Sequence, residues 1–126
     1  MQDKNFHAAI QLLIKACVDG KPQHEAVLEV CETPSYLVNF GFPQLPIVIT
    51  GAVVDKAHFE HGITRGVLVR LGEILLKPKA LYRSATQPGN AVVVTFELKD
   101  GSPILMPIRP NQLVGRASVN KVASLY

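Results

Sequence analysis

Two histidines three residues apart are the first candidates for chemistry in this chain. They lie in the stretch HFEHGITRG, as His58 and His61. Side chains at that spacing are neighbours on a helix and could begin a metal site, but no further Cys, His or carboxylate lies at a supporting spacing. We therefore predict no metal and no cofactor. His61 stands in a turn made by Gly62, before an expected helix start, where an imidazole can reach a substrate and exchange protons. The alternative is a surface histidine without a role.

The segment that follows is locally basic. Its cationic side chains are Arg65, Arg70, Lys77, Lys79 and Arg83. A solvated helix face would explain most of them. Arg83 differs because it lies inside a strand pattern, and a guanidinium held on a sheet can bind a phosphate through two hydrogen bonds. We expect Arg83 to be the cation that meets a phosphate.

The chain ends in VNKVASLY, which crowds polar groups into eight residues. These groups are Asn120, Lys121, Ser124 and Tyr126. Asn120 and Ser124 share a side whether the segment is a strand or a helix. One interpretation is a row of donors that faces an anionic substrate. The other is a last strand that completes a sheet, with Tyr126 as an amphipathic plug.

Length and composition favour one domain with an aliphatic core. The chain has 126 residues, of which 48% are hydrophobic and none is Trp. The net charge of +3 and the pI near 9.0 weakly favour anionic partners such as RNA. Cys17 and Cys31 are expected to be buried thiols, with a single disulfide as the alternative. No apolar run approaches the roughly 20 residues of a membrane helix, so no membrane association is predicted.

The elements that must position these groups follow from hydrophobic periodicity. Residues 3–19 have one apolar helical face, which predicts a first helix. Strands are predicted at 26–31 and 47–50, separated by an irregular, proline-rich connection. A short helical turn is expected around 55–60. A longer helix follows, capped by Thr64 and ended by Pro78.

From residue 80 onwards the apolar period changes to two. ALYRSA, AVVVTFEL and PILMPIR predict three strands. Lys99-Asp100-Gly101-Ser102 joins the last two, and Asp-Gly between alternating apolar runs is a strong hairpin signal. Helices first and strands last predict an α+β fold with a mainly antiparallel sheet.

The order of the motifs resembles one known group of proteins over residues 30–126. The motifs are ETPSYLVNFGF, PIVITGAVVDKAHFEHGIT, LGEILLKPKALYRSAT, NAVVVTFELKDGSPILMPI and VNKVASLY. This series is similar to the phage-associated branch of the barnase–EndoU–colicin–RelE nuclease superfamily, found at the C-termini of phage Mu F-like and polyvalent proteins and in toxin modules. The resemblance implies N-terminal helices packed on about four antiparallel strands. It divides the single domain of residues 1–126 into a helical extension, 1–29, and a nuclease-like core, 30–126.

The resemblance also implies a function and a site. It implies a metal-independent endoribonuclease, a toxin or phage-associated effector, in which the ribose 2′-OH attacks its own phosphate. From the residues and the resemblance together we predict as catalytic His61, Arg83, Ser124 and Tyr126. The predicted substrate-binding residues are Lys56, Ser84, Asn120 and Lys121.

The expected partners follow from that function. We expect RNA such as tRNA, together with a cognate antitoxin or immunity protein. The expected location is the bacterial cytoplasm, or a target cell into which a larger protein delivers the domain. The competing class is a non-catalytic module of a phage or mobile-element protein that binds nucleic acid or protein. A nucleotidyl or ADP-ribosyl transferase is less favoured, because no nucleotide-binding signature is present.

Overall fold

The structure is a computed structural model that describes residues 4–87, 89–95 and 101–126. Helices and strands are interspersed in the first part of the chain, and from residue 80 onwards the elements formed by the described residues are strands. The helices are α1 (Lys4–Val18), α2 (Ser35–Phe40), α3 (Gly51–Phe59), α4 (Arg65–Leu68) and α5 (Leu71–Leu76). The strands are β1 (Val27–Glu32), β2 (Pro46–Thr50), β3 (Ala80–Arg83), β4 (Ala91–Thr95), β5 (Ile104–Val114) and β6 (Ala117–Val122).

The strands form one mixed sheet in the order β1-β2-β6-β5-β4-β3. Four of the five pairings are antiparallel, and β2 pairs with β6 in parallel, Ile47 opposite Asn120. The predicted α+β class is confirmed. The prediction of about four strands is wrong, because the two N-terminal strands join the same sheet through the parallel pair. A parallel pair has no hairpin turn between its strands, so no local signal announces it.

The helices differ from the predicted ones in three places. The connection predicted to be irregular contains α2, which Gly41, at φ 124°, ends. The turn expected near 55–60 is the nine-residue helix α3, where the Thr50 side chain accepts a hydrogen bond from the Val53 amide at 3.4 Å. The helix expected from Thr64 to Pro78 is two helices, α4 and α5. Thr64 caps the first of them as predicted, by accepting from the Val67 amide at 3.3 Å.

The hairpin prediction is tested in part. Lys99 and Asp100 lie outside the described residues, whereas Gly101 has φ 78°, a conformation that favours glycine in tight turns. β4 and β5 pair in antiparallel fashion, with Val93 opposite Met106.

The two faces of the sheet differ sharply. The face towards the helices contributes fully buried side chains to the main hydrophobic cluster, which α1 joins through Phe6, Ile10 and Leu13. On β5, Ile104, Met106 and Ile108 point into this cluster. Successive side chains of a strand alternate between faces, so Leu105, Pro107 and Arg109 point the other way, and these are half-buried or exposed. We call this second surface the open face.

Two further features bear on the sequence predictions. Cys17 and Cys31 are free thiols, each half-buried. In the parts of the chain that the structure describes, no helix has the length and apolar character needed to cross a membrane.

Candidate functional site

A tight turn after α3 sets the position of His61. Gly62, at φ 69°, reverses the chain, and the Ile63 amide then donates to the Ala57 carbonyl at 2.9 Å. The Ile63 side chain is 1% exposed and anchors the turn in the core. The His61 amide donates to the Lys56 carbonyl at 3.1 Å, while its side chain is exposed. The imidazole is therefore fixed at its backbone and open to solvent.

His58 holds the same turn and was not predicted to have a function. Its Nδ1 lies 2.8 Å from the Ile63 carbonyl oxygen. A carbonyl oxygen only accepts, so Nδ1 carries the proton and donates. Its ring also meets the edge of Phe59, with centroids 4.7 Å apart. Spacing alone linked His58 to His61 as a metal pair; its carbonyl partner could not be read from the sequence.

The carboxyl end of the chain meets His61. Beyond β6 the backbone stays paired with β5: the Leu105 amide donates to the Tyr126 carbonyl at 2.6 Å, and the Tyr126 amide donates back at 3.1 Å. This pairing presents the Tyr126 ring, 49% exposed, 5.8 Å from the His61 ring between centroids and tilted by 51°. Two groups that are 65 positions apart in the sequence are thus in contact.

A small cavity lies between α3 and the segment that follows β6, and neither ring of this pair lines it. Its volume is about 140 Å³, and Lys56 and Ser124 line it together with the apolar side chains of Ala52, Val53, Ala57 and Ala123. Lys56 comes from α3, one turn before the His61 turn, and Ser124 comes from the segment that leads to Tyr126. Lys56 is five residues before His61 and Ser124 is two residues before Tyr126, so the ammonium and the hydroxyl come from the same two segments as the imidazole and the phenol. Together they can bind an anion and exchange protons with it.

Arg83 and Ser84 lie elsewhere. β3 is the far edge strand, three strands from β6, which puts Arg83 about 14 Å from the matching position of β6 at usual strand spacing. The Arg83 guanidinium stacks 4.3 Å above the Phe40 ring. The Ser84 hydroxyl accepts from the Gln87 amide at 3.2 Å. The structure does not bring these two residues to His61, and their predicted roles stay predictions.

Asn120 is committed to internal contacts. Its side chain is 0% exposed. Its Nδ2 donates to Thr33 Oγ1 at 2.7 Å and to the Pro43 carbonyl at 3.0 Å, and its Oδ1 accepts from the Asn111 amide at 3.0 Å. The first two bonds tie β6 to the loops on either side of α2, and the third ties it to β5. We therefore leave Asn120 out of the candidate site.

Lys121, the remaining predicted residue, alternates with Asn120 and lies on the open face. It is half-buried and pairs across the ladder with Arg109. Within the described ranges, no three His, Cys, Asp or Glu side chains are grouped so that they could hold a metal ion.

Comparison with known families adds one finding. The model of the phage MuF C-terminal domain matches residues 52–126, more than half of the chain. The chain belongs to the phage MuF C-terminal domain family. The matched part of this MuF domain contains the four residues of these two pairs, namely Lys56, His61, Ser124 and Tyr126. It begins after β2, so α1, α2 and two strands of the sheet lie outside the match. No curated protein and no solved structure gives a significant match to this MuF domain.

Proposed function

We propose that this MuF domain is a metal-independent endoribonuclease. The observation that carries the proposal is the contact between His61 and Tyr126, whose ring centroids lie 5.8 Å apart. Lys56 and Ser124, which belong to the same two segments of the chain, line a small cavity together. RNA supplies its own nucleophile, so the protein needs only groups that move protons and hold charge. An exposed imidazole in contact with a phenol, with an ammonium and a hydroxyl on the same two segments, meets that need.

The reaction would be a transesterification at phosphorus. The ribose 2′ oxygen attacks the adjacent phosphorus, its proton goes to a base, and a 2′,3′-cyclic phosphate forms. The bond to the 5′ oxygen of the next nucleotide breaks, and this oxygen receives a proton. His61 is our proposed group for one of these two proton transfers, because an imidazole can either accept or donate a proton near neutral pH.

The other three groups would bind the substrate. The Lys56 ammonium and the Ser124 hydroxyl would donate hydrogen bonds to the phosphate as negative charge builds up on it. The Tyr126 phenol would donate to phosphate or ribose, or its ring would stack on a base. Arg83 lies too far across the sheet to act on the same phosphate, so in this proposal it has no part at the reacting group.

The biological setting is part of the proposal. A phage-associated ribonuclease would act as a toxin or effector on a cellular RNA such as tRNA, and the cell that makes it would need an inhibitor. The chain could act in the bacterial cytoplasm or be delivered to a target cell by a larger protein. Its membership of the MuF domain family supports the phage association.

Incubation with total tRNA in EDTA tests the activity. We expect fragments that end in 2′,3′-cyclic phosphate, resolved on a denaturing gel, at the same rate with and without EDTA. Loss of cleavage in EDTA would contradict the metal-free mechanism. Intact tRNA with a clear shift on a native gel would favour a non-catalytic binding module instead.

A further inference from the structure

The open face of the sheet carries two exposed tyrosines, one just beyond the end of β6 and one on β3, with β5 and β4 between them. Tyr126, beyond β6, is opposite Leu105, and Tyr82 on β3 is opposite Val92. Residues directly opposite each other in an antiparallel pair point to the same face. Leu105 pairs with Val94, which lies two residues from Val92 on the same strand, so both rings belong to the open face. Tyr82 is 61% exposed and Tyr126 is 49% exposed.

The floor between the two rings is apolar. It consists of half-buried or buried side chains from β4, from β5 and from the residue that follows β6, namely Val92, Val94, Leu105, Pro107 and Ala123. The two rings are separated by three strand spacings and by two residues along the strands. At usual sheet dimensions their Cα atoms are therefore roughly 16 Å apart. A single-stranded segment of a few nucleotides would cover that distance.

Among the described residues, the charged side chains that the register places on this face over β3–β6 are cations. Arg109 and Lys121 are paired across β5 and β6, in the row next to the apolar floor. In the described part of the chain, the register places two carboxylates on the same face, those of Glu29 and Glu32. Both lie on β1, at the opposite edge of the sheet. The half of the face that runs from β3 to β6 thus combines exposed aromatic rings with cations. This combination binds single-stranded nucleic acid, because bases stack on the rings and the cations neutralise phosphates.

We infer that the open face over β3–β6 binds a single-stranded RNA segment that leaves the cavity past Tyr126, and that Tyr82 stacks on a base a few nucleotides away. The inference rests on the proposed function, since it takes RNA as the substrate and Tyr126 as the point of entry. It names Tyr82 as a binding residue outside the cavity and Arg109 as a phosphate contact.

Binding of a 2′-O-methylated hexanucleotide tests the inference separately from catalysis. This oligonucleotide has no free 2′-OH to attack the phosphate, so fluorescence anisotropy reports binding alone. Stacking on an aromatic side chain is worth about 1–3 kcal/mol per base, so Tyr82→Leu should raise Kd roughly 5- to 150-fold. Tyr82→Phe keeps the ring and should bind as the wild type does. Leu12→Ser is the matched control, because Leu12 is 66% exposed on α1, away from the sheet.

The salt dependence of the same binding separates stacking from charge. Each phosphate contact contributes about 0.7 to the slope of log K against log salt for a single strand. Arg109→Ala should reduce the slope by about that amount, whereas Tyr82→Leu should weaken binding without changing it. Circular dichroism of each variant checks that the sheet is retained, as expected for exposed positions.

The outcomes distinguish the two proposals. If Tyr82→Leu binds the hexanucleotide as tightly as the wild type, the inference is overturned, even where tRNA is cleaved. If the wild type binds no oligonucleotide, the inference is also overturned, and the face is left for a protein partner. If binding depends on Tyr82 while tRNA stays intact, the open face stands as an RNA-binding surface and the ribonuclease proposal fails.

Discussion

Replacing Asn120 with alanine should lower the free energy of unfolding by about 3 kcal/mol. The side chain is 0% exposed and makes three hydrogen bonds, to Thr33, Pro43 and Asn111. Alanine leaves the Pro43 carbonyl and the Asn111 amide without this partner. Each buried polar group that loses its partner costs about 1–3 kcal/mol, and the lower half of that range applies where water can reach the loop. Thr33 loses less, because its hydroxyl still donates to the Leu45 carbonyl.

Thermal and urea unfolding followed by circular dichroism measure this loss. For a chain of this length, 3 kcal/mol corresponds to a fall in Tm of about 10 °C. Asn39→Ala is the matched control, since Asn39 is exposed on α2 and its replacement should change stability by less than about 0.5 kcal/mol. An Asn120→Ala protein that melts with the wild type would refute the structural role assigned to this amide.

Three further predictions concern the fold. Gly51→Ala should destabilise the protein by about 1–3 kcal/mol in urea melts, because the new Cβ would lie 1.9 Å from the Gln23 carbonyl oxygen. The control is Gly66→Ala, whose Cβ meets nothing closer than 4.0 Å and which should be neutral or slightly stabilising. Equal effects of the two substitutions on stability would contradict the close approach at Gly51. Burial, reinforced by Glu32 and then Glu29, raises the pKa of the Cys31 thiol from 9.0 to about 11. The folded state then holds this proton more tightly than the unfolded chain does. The free energy of unfolding should therefore be level below about pH 9 and fall as the pH rises through 11. The expected loss is roughly 1–2 kcal/mol, because solvent screens the half-buried thiol. Urea midpoints of wild type and Cys31→Ala between pH 8 and pH 11 measure this, and an identical pH dependence in both would count against it. A fragment of residues 52–126 alone should not fold, because it lacks β2, which pairs with β6, and α1, which covers the hydrophobic core. A cooperative thermal melt of that fragment would disprove this.

Part of the fold was predictable because its signals are local. The apolar face of α1 recurs at helical spacing, and Phe6, Ile10 and Leu13 are buried as that spacing requires. The alternation on β4 and β5 likewise places Val93 and Met106, both 0% exposed, on one face. α2 was missed because the prolines and the glycine around it are typical of irregular connections, although they in fact bound a short helix.

The rest depends on pairings that no short segment encodes. The parallel pair of β2 and β6 joins residues more than seventy positions apart, and it decides how many strands the sheet has. The strand order also decides which polar residues meet. It separates Arg83 from His61 although they are close in sequence, and it brings Tyr126 to His61 although they are distant. Asn120 looked like a substrate donor because polar type and spacing do not report burial.

The rate of RNA cleavage by His61→Ala tests the central claim most directly. His61 is exposed, so its replacement should leave the melting temperature within a few degrees of the wild type. A positioned acid or base contributes about 10²–10⁴-fold, so under single-turnover conditions in EDTA the variant should cleave a defined oligoribonucleotide at least about 100-fold more slowly. A folded His61→Ala protein that cleaves at the wild-type rate would contradict the account.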